Sequence, residues 1–139
     1  MTNSVVVELE GLRPIPGSHL DSRSDAEIIS SLLSYHPVTS ERNVWAFWDK
    51  GFNAMPPWSQ RNILGWFRRL GASWTVRLLD NVPDSPNNVY RYLEPSDFPA
   101  AFNERRMNGK SAGQHASDFF RLAVLYRVRV ATVALCTGK

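Results

Sequence analysis

An acid and a guanidinium lie three residues apart in the segment His115–Arg127 (H-A-S-D-F-F-R-L-A-V-L-Y-R), as Asp118 and Arg121. On a helix that spacing puts both side chains on one face. A carboxylate so placed can accept hydrogen bonds from sugar hydroxyls, and a guanidinium can grip phosphate oxygens in a planar fork. The same two residues also fit an ordinary surface ion pair worth about 0.3–0.5 kcal/mol. Leu122, Leu125 and Tyr126 follow at helical spacing and are expected to bury the helix against a sheet, turning the pair into a cleft. Two more candidates stand where strands are expected to end: the Trp48 ring can stack on a base, and Asp80 can accept a hydrogen bond from a ribose or base edge.

The elements that must position these groups are legible in outline. Asn43–Trp48 (N-V-W-A-F-W) reads as a short buried strand, and Ser73–Leu79 (S-W-T-V-R-L-L) as a second one that delivers Asp80. Between them, Met55-Pro56-Pro57 opens a helix predicted from about Trp58 to Leu70, with Gly71 as its C-terminal stop. Strand, helix, strand at this spacing predicts two parallel neighbours, and so an α/β protein with a mainly parallel sheet. In such sheets ligands gather beyond the carboxyl ends of the strands, where Trp48-Asp49-Lys50-Gly51 and Asp80 lie. Upstream, Ser24 or Asp25 caps a helix that runs to Leu33 and stops before His36-Pro37. Downstream come short helical pieces near Val89–Leu93 and Asp97–Arg105, then a capping-box pattern of Ser111 and Gln114 that starts the last helix. Val128–Leu135 alternates loosely and reads as a further strand. Trp45, Trp66 and Trp74 are expected in the core, His115 as a plain first-turn residue, and the pairs Arg68-Arg69 and Arg105-Arg106 on solvated faces.

Composition narrows the class. With 139 residues, 43% of them hydrophobic and 21% charged, the chain suits one ordinary folded core. The net charge is only +3 and the basic residues are dispersed among acids, which argues against nucleic acid as a partner. Cys136 is the single cysteine, so no intrachain disulfide is possible, and it reads as a bystander thiol. No apolar run reaches the ~18–20 residues of a transmembrane helix. The segment M-T-N-S-V-V-V-E-L-E lacks the features of a signal peptide, so a cytoplasmic location is the default expectation.

Four blocks carry a family resemblance in order: N-V-W-A-F-W-D-K-G, M-P-P-W-x-x-x-N-I-x-G-W, S-W-T-V-R-L-L-D and H-A-S-D-F-F-R-L-A-V-L-Y-R. Together they resemble the capsular polysaccharide synthesis proteins. These are glycosyltransferases of the nucleotide-diphosphosugar (GT-A, Rossmann-like) fold with a D-x-D metal motif. The resemblance implies a variable lead-in over 1–42, the N-terminal nucleotide-sugar-binding part of a GT-A-like domain over 43–127, and an atypical tail over 128–139. It implies a nucleotide-diphosphosugar donor, a glycan or polysaccharide acceptor, and Mn²⁺ or Mg²⁺ on the donor. It also implies that Trp48 packs on the nucleotide, that Asp118 and Arg121 contact the donor sugar and diphosphate, and that Asp80 approaches the nucleotide. The tail departs from the family: the Gly-Gly turn and the D-x-D acids are missing after Arg127, and Val128–Lys139 holds no carboxylate side chain. The expectation is therefore a fold interrupted before its metal ligands, with no catalytic or metal-binding residue assigned and no turnover. The alternative is a non-catalytic remnant serving as a weak nucleotide-binding or protein-interaction module.

Overall fold

The structure is a computed structural model and describes residues 16–70, 73–127 and 132–133. Expectations that fall on Gly71, Cys136 and the extreme N-terminus lie outside the described residues, as does most of 128–139.

Strand β1 (Asn43–Phe47) pairs in parallel with β2 (Thr75–Leu79), from Asn43 opposite Thr75 to Phe47 opposite Leu79. Helix α2 (Pro57–Leu70) is the connection between them, as the strand–helix–strand pattern predicts. A two-residue strand β3 (Thr132–Val133) pairs in parallel with the other edge of β1, within the run expected to be extended. The sheet order is thus β2-β1-β3. The chain leaves β1 toward one side and returns to its other side, so the order reverses at β1.

Why N-V-W-A-F is apolar without interruption follows from that central place. Side chains alternate between the faces of a strand, and a middle strand covered on both faces needs hydrophobic residues throughout. Val44 and Ala46 join Val76 and Leu78 in one cluster, with Ile28 and Leu32 of α1 (Asp25–Leu32) and Ile63 and Phe67 of α2. Trp45, Phe47 and Leu79 join the second cluster on the opposite face. There they meet Phe102 of the short α3 (Ala100–Asn103) and Ala116, Phe120, Ala123 and Val124 of α4 (Ala112–Arg127). Phe47 and Phe120 stack with ring centroids 5.0 Å apart. Trp45 is fully buried, and Trp66 and Trp74 pack against the first cluster, as expected of core residues.

Local signals set the helix starts. Ser24 caps α1 in a capping box with Glu27, whose carboxylate accepts from the Ser24 N–H at 2.8 Å. Helix α4 begins at Ala112 where the Ser111/Gln114 pattern places it, yet no side-chain hydrogen bond joins those two residues among the described ones. Residues 21–25, ahead of and at the start of α1, are tied to α2. Arg68 of α2 donates to the carbonyls of Asp21 (2.8 Å) and Arg23 (2.7 Å) and pairs with Asp25 at 2.6 Å. The solvated role expected for Arg68 is therefore corrected: its guanidinium ties α2 to the segment ahead of α1.

One expectation fails outright. Leu122, Leu125 and Tyr126 do not bury α4; they are 63%, 47% and 82% exposed. The buried row is Ala116, Ser117, Phe120, Ala123 and Val124, on the opposite side of the helix. Both rows satisfy helical periodicity, and the bulkier one faces water.

Candidate cleft at the carboxyl ends of the strands

Beyond the ends of β1 and β2 lies a cleft with two lobes of about 340 and 490 Å³. Asp49, Lys50, Met107 and Ala112 belong to both lobes and make their common wall. Asn81, Val82, Phe102 and Arg105 complete the smaller lobe; Trp48, Asn108, Gly109 and Lys110 help form the larger. The position follows from the topology. Where strand order reverses, α2 and α4 cover opposite faces, and the loops after the strands part to leave a crevice.

The wall is held by main-chain bonds. The Trp48 N–H donates to the Leu79 carbonyl at 2.9 Å, and the Asn81 N–H to the Asp49 carbonyl at 3.0 Å, so the parallel pairing extends past the strands proper. The Gly51 N–H closes a turn on the Trp48 carbonyl at 3.0 Å. Gly51 has φ +85°, a left-handed value that a side chain would strain.

Trp48 sits at this crevice as expected and lines the larger lobe. Its ring is only 6% exposed, however, and packs with Val44, Ala46, Phe52 and Met55. Little of its surface is therefore open to the cleft.

Asp80 is in a different situation. Its Oδ1 accepts from the Val82 N–H at 3.0 Å and its Oδ2 from the Ser85 hydroxyl at 2.7 Å, bonds that shape the 81–88 loop. Burial pushes its carboxyl above the ordinary carboxylate range, against the lowering effect of those two bonds. Asp80 is thus not among the residues lining either lobe; the next residue, Asn81, is. Alternation along an extended chain explains the offset, since adjacent side chains point to opposite sides.

Asp118 and Arg121 line neither lobe. They form a loose ion pair at 3.9 Å, with side chains about half exposed, on the face of α4 shared by Leu122 and Leu125. The pairing is as the spacing implies, but the residues of α4 that reach the cleft are Ala112, Gly113 and Ala116. The structure therefore brings Trp48 to the cleft and leaves Asp80, Asp118 and Arg121 outside its walls. His115 is an exposed first-turn residue, as expected.

Sequence reasoning placed Lys50 at the strand end without giving it a role, and missed Asn81, Arg105 and Lys110. Arg105 is exposed, as expected of a solvated face, and in addition its guanidinium donates to the Asn81 carbonyl and borders the smaller lobe. The available signal was positional: Lys50 directly follows the Trp48-Asp49 strand end, and Lys110 immediately precedes the start of α4.

A divalent cation does not suit this donor set. Mg²⁺ and Mn²⁺ favour several carboxylate or carbonyl oxygens. The cleft presents one carboxylate, Asp49, beside the cations Lys50, Arg105 and Lys110. Among the described residues no three His, Cys, Asp or Glu side chains gather in a metal-holding group. No helix among them is long and apolar enough to cross a membrane.

No family model matches the chain, and no solved structure matches it. Named proteins do. It is 53% identical over 116 residues to the O-glycosyltransferase braB of Annulohypoxylon truncatum, covering 84% of this chain and 28% of that protein. It is 46% identical over 118 residues to the O-glycosyltransferase PaGT of Phomopsis amygdali, covering 84% of this chain and 29% of that protein. It is 49% identical over 115 residues to the glycosyltransferase afumC of Aspergillus fumigatus, covering 81% of this chain and 29% of that protein. The chain spans under a third of the length of these relatives, and over that span its homologues are named glycosyltransferases.

Proposed function

We propose that this chain supplies the donor-binding part of a glycosyltransferase, holding a nucleotide-diphosphosugar whose sugar passes to a hydroxyl oxygen of an acceptor. The observation that carries this reading is the cleft at the carboxyl ends of parallel β1 and β2, where strand order reverses. Its size fits a small-molecule site, and its lining mixes a tryptophan, an acid, an amide and three cations. The similarity to proteins named O-glycosyltransferases supports the reaction class and an oxygen acceptor. Glycans and polysaccharides are acceptors of this kind, as the capsular resemblance implies.

Within that reading the chain's own residues bind and orient. Trp48 closes one side of the larger lobe, Asp49 accepts from sugar or ribose hydroxyls, and the cations face the phosphates. Asp118 and Arg121 reach a donor only where it projects beyond the cleft along the outer face of α4. A metal supplies charge neutralisation to a leaving diphosphate in metal-dependent transferases; no step is assigned to one here, because the cleft's donor set does not fit it.

Equilibrium dialysis against a panel of nucleotide-diphosphosugars tests the proposal. Binding of at least one, competed by the matching nucleoside diphosphate and weakened in Asp49→Ala, is the expected result. The 139-residue chain is also expected to release no nucleoside diphosphate with Mn²⁺ present. Absence of binding across the panel overturns the donor-site reading.

A further inference from the structure

Asparagine is followed by glycine once in this chain, at Asn108-Gly109. The pair lies between α3 and α4, and both residues are exposed. It also borders the larger lobe of the cleft, where Asp49, Lys50 and Lys110 are the charged neighbours.

The surroundings of this asparagine differ from those of others in the fold. Among the described residues its side-chain amide makes no hydrogen bond, and the Gly109 N–H after it donates to nothing. Asn103 instead donates to the Pro95 carbonyl at 2.8 Å and accepts from the Tyr90 hydroxyl at 2.6 Å. The N–H that follows Asn103, on Glu104, is bound to the Ala100 carbonyl at 2.8 Å. Asn53 and Asn62 are exposed like Asn108, but the next N–H is committed in both cases. That of Ala54 donates to the Gly51 carbonyl at 3.1 Å, and that of Ile63 belongs to the ladder of α2. Gly109 has φ +92°, and a Cβ built there would meet nothing within 4 Å. Its nitrogen is thus both unbonded and unshielded.

We infer that Asn108 is a site of spontaneous deamidation through a cyclic imide formed with the Gly109 nitrogen. Base in the water removes the Gly109 amide proton, and the nitrogen attacks Cγ of Asn108. The new C–N bond closes a five-membered ring; the Cγ–Nδ2 bond breaks, and the nitrogen leaves as ammonia after taking a proton. Water then opens the ring at either of its carbonyls. Opening at Cγ frees the main-chain carbonyl and places an isoaspartyl link when the side-chain carbonyl keeps the nitrogen; opening of the other C–N bond restores an ordinary main chain ending in an aspartate side chain. Overall one water is consumed, one ammonia is released, and nothing is oxidised or reduced. Either product adds a carboxylate to the wall of the larger lobe. Its lining passes from one positive charge in excess, Lys50 and Lys110 against Asp49, to none. The isoaspartyl product also inserts a methylene into the main chain just ahead of α4.

Incubating the folded 139-residue chain in mildly alkaline buffer, followed by peptide mapping and isoaspartate methyltransferase labelling, tests the inference. The expected result is a growing acidic species on ion exchange, with Asn108 converted to a mixture of aspartate and isoaspartate while Asn103 stays an amide. Its rate should rise in proportion to hydroxide, and the aspartate form should elute with Asn108→Asp. Asn108→Gln, whose longer side chain closes the imide ring poorly, should suppress the acidic species. A parallel incubation in urea measures the unprotected rate, to which the folded rate should be close. An Asn108 that converts in urea but stays intact in the folded chain overturns the inference, because the fold then shields it. Another asparagine reacting faster, or aspartate forming with no isoaspartate, overturns it as well.

Discussion

The two ends of the sheet handle positive charge in opposite ways. On β2, Arg77 is 4% exposed, and each of its three guanidinium nitrogens makes a hydrogen bond. It donates to Asn43 Oδ1 at 2.9 Å, to the His36 carbonyl and to the Pro37 carbonyl at 3.1 Å, with its guanidinium carbon 5.2 Å from the Trp45 ring and 5.5 Å from Tyr92. Burial lowers its pKa, and neutral acceptors and aromatic faces rather than an acid compensate the desolvation. At the carboxyl end, Lys50, Arg105 and Lys110 surround an open cleft with no acid paired to them among the described residues. Charge at the first end stitches β2 to residues 36–43, whereas charge at the second is left available. A buried cation with its bonds made is architecture; exposed cations around a cavity keep their donors free for solvent or a solute.

Stability measurements sharpen that contrast. Arg77→Ala is expected to have the largest effect, about 3–4 kcal/mol by urea unfolding, because three acceptors and two rings lose their partner at once. Arg77→Lys should recover only part of it, since one ammonium cannot reproduce the fork. If Arg77→Ala proves as mild as Lys50→Ala, the architectural role of this end is wrong. Asp80→Ala comes next, at about 1–3 kcal/mol, from the two loop bonds it removes. A loss of nucleotide affinity from Asp80→Ala with unchanged stability would move Asp80 into the site and break the distinction drawn between it and Asn81.

A smaller effect concerns the end of α4, where Arg127 pairs with Asp97 at 2.8 Å. The Arg127 N–H bonds hold the Asp97 carboxyl below its ordinary range. A lowered folded-state value means that this stabilisation is complete above the unfolded value of about 3.9 and is lost as pH falls through the folded one. The melting temperature of the parent should therefore exceed that of Asp97→Asn near neutral pH and converge with it as the pH falls through the lowered folded-state value. The smallest effects are expected from Asp118→Ala and Arg121→Ala, each within about 0.5 kcal/mol, since their pair is exposed and long. A larger loss in either would show a structural duty that the 3.9 Å contact does not explain.

The backbone plan was legible in the sequence because its signals are local. Unbroken hydrophobicity in Asn43–Phe47, Pro57 at the start of α2 and the Ser24/Glu27 box each determine structure within a few residues. The faces of α4 were not, because Leu122-Leu125-Tyr126 and Phe120-Ala123-Val124 obey the same periodicity. Only the space left by Phe47 and Phe102 selects the row with small residues at 116 and 123, which lets the helix approach the sheet closely. The site was legible by region but not by residue. Strand ends identify the cleft, but a shift of one position separates Asp80 from Asn81, and Arg105 arrives through a loop whose path no local pattern specifies.

The outer face of α4 has a consequence at the bench. Leu122, Leu125 and Tyr126 form a row of wetted hydrocarbon, of the kind that soluble monomers seldom display in one place. Such a surface governs handling: strong retention on a phenyl column, precipitation in ammonium sulfate at modest concentration, and losses to plastic that a mild non-ionic detergent prevents. Because this row lies opposite the residues that meet the sheet, Leu122→Lys together with Tyr126→Lys should cure that stickiness while leaving the melting temperature and the cleft as they were.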